Sequence, residues 1–291
     1  MRTTVEYESV RHFMQRVEEP LERDESANNL ILGLLYMLRD KERRGESAEG
    51  NVLMTVEDDE GALCLAALLN PINLVVASIS AQGDGSAALS AASLTTHVLQ
   101  SGWSLPGIVG PLEASEAIAK AWAAKSRQIA IVKMNQKIYR LDQVCPGMVG
   151  PGELVCAEAE HQQLVADWLF AFSAAVGEAL SREAALQKAA DDIRSRSIYL
   201  WRTEAGIVSM AKRSRPTRNG IVIAIVYTPP EHRKMGYASS CVASLSQLLL
   251  EQGFRFCSLY TDLANPTSNK IYMDIGYRPI QDSILYRFRD R

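Results

Sequence analysis

The sequence predicts an α/β chain, with strands and helices mixed in an α+β manner, built as two tandem domains. Three observations predict it. Strand-like and helix-like stretches follow one another in a similar order in both halves, which argues for helices packed on a sheet in each. Cys145-Pro-Gly-Met-Val-Gly-Pro-Gly152 places three glycines and two prolines in eight residues between them. A length of 291 residues suits two domains of ordinary size. The expected organisation is a domain over 1–145, a linker over 146–152 and a domain over 153–291.

The elements follow from local pattern. Residues 8–43 carry Glu, Arg and Leu at helical spacing, and Pro20 predicts a break into two helices. Apolar runs at 51–56 and 61–69 read as strands about an acidic turn ending in Gly61. A strand at 73–79, a helix at 86–100, a strand at 107–110 and a helix at 112–125 follow. Strands at 128–134 and 137–142 close the first half. The second half predicts a strand at 153–158, helices at 159–176 and 181–193, and strands at 197–202, 206–213 and 219–228. A helix at 236–252, a strand at 256–262, a helix at 266–274 and a strand at 282–289 complete it.

Bulk composition excludes several classes. A hydrophobic fraction of 47% and a charged fraction of 22% are those of a globular protein, and each half can bury a core. A formal net charge of −3 gives no reason to expect nucleic acid or an anionic membrane surface as partner. The five cysteines form no CxxC pair, and several sit in apolar runs, so they read as buried, reduced thiols. The four histidines lack metal-ligand spacing, and no metal is expected. The N-terminal residues lack an apolar signal region and no apolar run reaches the ~20 residues of a membrane span, so a cytoplasmic protein is expected.

The informative segment is Ile221-Val-Ile-Ala-Ile-Val-Tyr-Thr228, followed by Pro229-Pro-Glu-His-Arg-Lys-Met-Gly-Tyr-Ala-Ser-Ser240 and an apolar helix. A strand enters a short loop and leaves as a helix. A helix start exposes unpaired backbone N–H groups and a partial positive charge, and phosphate oxygens satisfy both. Gly236 would let a pyrophosphate approach the backbone, while Arg233 and Lys234 add charge. The loop has neither the Walker A nor the GxGxxG pattern. Alone, R-x-x-G-x-A also describes an ordinary helix start.

Farther on stands Thr261-Asp-Leu-Ala-Asn-Pro-Thr-Ser-Asn-Lys-Ile-Tyr272, then Gly276-Tyr277. Together, in this order and spacing, the two segments resemble the GNAT superfamily of acyl-CoA N-acyltransferases over about residues 195–290. The resemblance implies two tandem GNAT-like domains, each with a mostly antiparallel twisted sheet whose fourth strand splays from its fifth. It implies acetyl-CoA as acyl donor. The pantetheine arm would pair with the backbone of Val226, Tyr227 and Thr228, an added strand supplied by the co-substrate. Arg233 would open the phosphate loop, and Lys234, Met235, Gly236, Tyr237, Ala238 and Ser239 would hold the pyrophosphate. Asn265, with Asn269, would bind the pantetheine arm. Tyr272 would be the catalytic residue, protonating the departing thiolate.

The resemblance is weakest at the general base. The 219–228 strand carries no carboxylate. Asp262 and Glu231 are the nearest acids, and turn capping and solvation explain them as well. His232 reads better as a loop residue than as a base. The first half shows neither signature, so it reads as a degenerate copy supplying an acceptor wall or packing surface. Glu25-Ser-Ala-Asn-Asn29 could face an acceptor or cap a helix. Trp103, Trp122 and Tyr139 are expected in the core. The leading reading is an N-acetyltransferase acting on a primary amine of a small molecule or peptide. The sequence is compatible with a homodimer. A non-catalytic acyl-CoA-binding module is the alternative, and a nucleotide in the loop a third.

Overall fold

The computed structural model describes residues 1–46, 50–79, 86–178 and 180–291. The chain repeats one order of elements: strand, two helices, three strands, helix, strand, helix, strand. The first pass runs β1 (Arg2–Tyr7), α1 (Val10–Glu22), α2 (Asn29–Arg43), β2 (Val52–Asp58), β3 (Leu63–Leu69), β4 (Leu74–Ser78), α3 (Ser86–Gln100), β5 (Gly107–Pro111), α4 (Leu112–Lys125) and β6 (Gln128–Leu141). The second runs β7 (Glu153–Cys156), α5 (Gln162–Ala175), α6 (Arg182–Arg194), β8 (Ile198–Thr203), β9 (Gly206–Ser214), β10 (Gly220–Tyr227), α7 (Tyr237–Glu251), β11 (Phe256–Asp262), α8 (Pro266–Ile275) and β12 (Arg278–Asp290).

The chain folds as two compact units, and these do not follow the 145–152 segment. The first comprises Met1–Ile138, Tyr260–Pro266 and Pro279–Arg291; the second comprises Tyr139–Leu259 and Thr267–Arg278. The reason lies in strand pairing. β12, the last strand of the second pass, runs antiparallel to β5, with Leu285 opposite Val109 and Tyr286 opposite Ile108. A contiguous cut after Gly152 would strip β5 of that neighbour.

In the first unit the strand order is β1-β2-β3-β4-β5-β12-β6. β1–β2, β2–β3, β3–β4 and β5–β12 pair antiparallel, while β4 and β5 are parallel at Leu74↔Ile108 and Val75↔Val109. One face buries Phe13, Val17, Leu32 and Leu35 from α1 and α2. The other buries Leu94, Ile118 and Trp122 from α3 and α4. β3 reads Leu-Cys-Leu-Ala-Ala-Leu-Leu and is buried throughout, as a strand covered on both faces must be.

In the second unit β7, β8, β9 and β10 form an antiparallel meander, and β11 joins β10 in parallel. α7 and α8 cover one face, packing Val242, Leu245, Leu249, Tyr272 and Ile275 on Trp201, Ile221, Ile223 and Leu259. α5 and α6 cover the other, packing Val165, Trp168, Leu169 and Ala189 on Leu200, Met210, Ile225 and Tyr227.

Several local expectations are corrected. Pro20 sits inside α1, which ends at Glu22, so the helix break falls over 23–28. At the last turn a proline forfeits one hydrogen bond and tolerates the rest. β6 is one strand of 14 residues where two were expected. Arg2–Tyr7 forms a strand that was not expected; its apolar pattern is weak, and pairing with β2 is what orders it. Trp103 is 42% exposed, in the turn after α3, whereas Trp122 and Tyr139 are buried. Cys64, Cys241 and Cys257 are buried, but Cys145 is exposed; all five are free. Among the described residues, no helix is long and apolar enough to cross a membrane. No group of three or more His, Cys, Asp or Glu there could hold a metal ion.

Candidate functional site

β10 begins in register with β11 and leaves it. The parallel pairing covers Gly220↔Phe256, Ile221↔Cys257 and Val222↔Ser258, and among the described residues goes no further. A bulge accounts for the departure. The β9–β10 register shifts between Ala224 and Tyr227, and Ile225 stands at φ +50°. A β-branched residue there is strained, and an inserted residue bends its strand. Ser258, at the last paired position, buries a hydroxyl that has no hydrogen-bond partner.

The end of β10 is held by its other neighbour. The Ser209 hydroxyl donates to the Tyr227 carbonyl at 3.2 Å and shares a 2.8 Å hydrogen bond with the Thr228 hydroxyl. The Tyr227 ring packs on Trp168 of α5, centroids 6.0 Å apart. Val226, Tyr227 and Thr228 are half-buried.

Past Pro229 the chain makes a 3-10 turn over Pro230–His232. Arg233 Nε donates back to the Thr228 carbonyl at 3.0 Å, closing the loop on the strand it leaves. Lys234 and Gly236 both take left-handed backbone, at φ +65° and +79°. Such residues in a turn make backbone N–H groups converge into anion-binding concavities. α7 then starts with Gly236 as N-cap and no capping side chain. The first-turn N–H groups of a helix have no intrahelical partner. A Cβ at Gly236 would meet nothing within 4 Å, so the space before the helix start is open. Arg233, Lys234, Met235 and Gly236 are exposed, and Tyr237, Ala238 and Ser239 are half-buried. The arrangement can take an anion on backbone amides, with cationic side chains beside it.

The Gly-Pro-rich segment borders this loop, which its composition did not reveal. The Gly150 N–H donates to the Ser240 hydroxyl at 3.0 Å, in the first turn of α7. Other residues missed by sequence reasoning are Trp168, Ser209 and Ser258, which carry no motif; strand register exposes the two serines and packing on Tyr227 exposes Trp168.

The remaining candidates divide. Tyr272 is 9% exposed and meets Tyr277 edge-on, ring centroids 6.0 Å apart. Burial pushes its phenol up to about 12, so it is protonated at neutral pH. Asn269 is buried on α8 beside it in the same unit. Asn265 is exposed and belongs with 260–266 to the first unit. Asp262 Oδ1 accepts the Ala264 N–H at 2.8 Å, the turn-capping role. Glu231 is exposed in the 3-10 turn, and His232 meets Tyr237 with centroids 6.4 Å apart. In the first unit Asn28 caps α2 without a side-chain bond, its Nδ2 donating instead to the Leu21 carbonyl at 3.0 Å. The counterpart splay between β4 and β5 there leaves a cavity of about 10 Å³, room for a single water.

Residues 206–285 match the family model described as FR47-like protein. Solved structures match the whole length. A GCN5-related N-acetyltransferase from Sphaerobacter thermophilus superposes with a TM-score of 0.61 at 14% identity, covering 99% of this chain and 95% of that one. A tandem GNAT protein from the clavulanic acid biosynthesis pathway gives 0.58 at 13% identity, covering 100% and 98%. The chain has the tandem GNAT fold. A GNAT-family acetyltransferase from Colwellia psychrerythraea adds a TM-score of 0.57 at 14% identity over 99% and 100%. No curated protein matches the sequence. Within this GNAT fold the family-model match spans β9 to β12, and so includes the bulged strand, the loop and α8.

Proposed function

We propose that the chain is an acetyl-CoA-dependent N-acetyltransferase acting on a primary amine of a small molecule or peptide. The observation that carries this reading is the departure of β10 from β11 beyond Val222, leading into an uncapped, glycine-started helix. A strand edge freed from its neighbour can bond an extended pantetheine arm. The helix start can bind the pyrophosphate attached to it. The open space at Gly236 fits that group.

On this reading the backbone of Val226, Tyr227 and Thr228 bonds the arm, and the 233–239 amides hold the diphosphate, with Arg233 keeping the loop closed. Asn269, in the same unit as that strand and loop, is assigned to the arm. A neutral amine attacks the thioester carbonyl carbon, and a backbone N–H at the bulge stabilises the oxyanion. Collapse breaks the C–S bond, Tyr272 gives its proton to the leaving thiolate, and the proton shed by the attacking nitrogen passes through water back to the phenolate. A phenol near 12 yields that proton reluctantly to a thiolate whose free value is about 8.5. Desolvation of the thiolate in the same apolar surroundings narrows the gap. The first half, whose counterpart splay is nearly filled, acts as a degenerate copy without a coenzyme.

A non-catalytic acyl-CoA-binding module is the second reading, favoured by the absence of a carboxylate on β10. Release of free thiol from acetyl-CoA across a panel of amines separates the two. Amine-dependent release supports the transferase. Saturable CoA binding with no release above background supports the binding module, and no CoA binding removes both.

A further inference from the structure

On the solvent side of α5 an open groove of about 220 Å³ runs between α5 and α6. Asp167 and Phe170 line it from α5; Arg182, Glu183 and Leu186 line it from α6. Two buried alanines form its floor. The guanidinium of Arg182 lies 4.6 Å from the Phe170 ring centroid and 3.7 Å from Asp167 Oδ1. Gln163 Nε2 donates to the same Asp167 oxygen at 3.2 Å, which fixes the carboxylate. Glu183 is held below the usual carboxylate range by its own backbone N–H and the Ser181 hydroxyl, so it stays charged.

We propose that this groove is an organic-cation site occupied by the protein's own Arg182, and that it takes an alkylguanidinium or alkylammonium ligand. An aromatic face beside a carboxylate is the pair of partners that recognises such a cation. The exposed Leu186 and the alanine floor give an alkyl stem an apolar wall. With Arg182 displaced, Asp167 and Glu183 leave the groove anionic. Displacement costs little: the Arg182 and Asp167 side chains are 73% and 51% exposed, and ion pairs in water hold weakly. None of these residues belongs to the 226–239 segment, so the site stands whether or not the chain transfers acyl groups.

The test titrates agmatine, and its neutral counterpart N-butylurea, into the full chain while following the backbone amides of Ala166, Phe170 and Leu186 by NMR. Agmatine should shift them saturably and butylurea should not. Arg182→Ala should tighten agmatine about three- to five-fold, the scale of one exposed cation–π contact, and Asp167→Asn should loosen it. Both positions are exposed, and unchanged thermal midpoints in the same samples would establish that the fold is intact. The proposal is overturned if Arg182→Ala shows no saturable shift, if it binds agmatine more weakly than the wild type, or if butylurea gives the same response.

Discussion

Arg233 Nε and the carbonyl of Thr228 are joined at 3.0 Å, so the cation at the head of the loop is also its clasp. On the proposed reading it holds the amides after it in place. Arg233→Ala should therefore weaken CoA binding about three- to ten-fold, as the loss of one charge-assisted hydrogen bond near the surface would. Calorimetric titration with CoA checks it, and an unchanged affinity would mean the clasp is idle.

Gly236 stands at φ +79° with open space where a Cβ would go. Gly236→Val should cost affinity twice over: its side chain takes space assigned to the diphosphate, and a β-branched residue resists left-handed backbone by about 1–3 kcal/mol. The expected result is CoA binding weakened about ten-fold or more, read by the same titration. Gly236→Asn, which tolerates that backbone better, should lose less.

Tyr272→Phe keeps the ring against Tyr277 and removes only the proton donor. Turnover should fall about 100-fold, within the usual worth of a general acid, while CoA affinity stays nearly constant. Steady-state kinetics with a responsive amine decides it; equal turnover would take Tyr272 out of the chemistry.

Leu285 on β12 is 6% exposed and packs with Val109, Leu53 and Phe13. Leu285→Ala should destabilise the first unit by about 2–4 kcal/mol. Trp122, tilted against Phe288 on the same strand with ring centroids 6.1 Å apart, supplies a fluorescence probe for urea unfolding. An unshifted midpoint would contradict β12 as part of that unit's core.

Asp192 and Lys212 form a 2.6 Å ion pair with side chains 10% and 14% exposed, joined by Lys188 at 3.3 Å. Desolvation lowers the Lys212 ammonium below its ordinary value, and Asp192 opposes this. Asp192→Asn should cost about 3 kcal/mol at pH 7, by leaving a buried cation unpaired. A lowered folded value means the unfolded chain binds more protons between that value and about 10.5, so stability rises with pH there. The variant, whose Lys212 is lowered further, should recover part of its loss between pH 7 and 10. Urea midpoints across that range measure it, and a loss independent of pH would contradict the cause.

Much of the second unit was legible because its candidate site lies in contiguous segments. The strand into Thr228, the turn at Gly236 and the helix bearing Tyr272 each announce themselves in local pattern. The residues that support them did not, because Ser209, Ser258 and Trp168 are defined by register across strands and by packing. β1 was missed since Arg-Thr-Thr-Val-Glu-Tyr has little apolar alternation. The linker composition of 145–152 marked an irregular segment correctly, yet the pairing of β12 with β5, more than 160 residues apart, decides where the units divide.

On the proposed reading the bend at 233–239 holds a diphosphate. Titrating CoA into the labelled protein and following backbone amide resonances tests it directly. The largest shifts should fall on Lys234 through Ser239 and on Val226 to Thr228. Saturable binding that leaves those amides unmoved, or no binding at all, would contradict it.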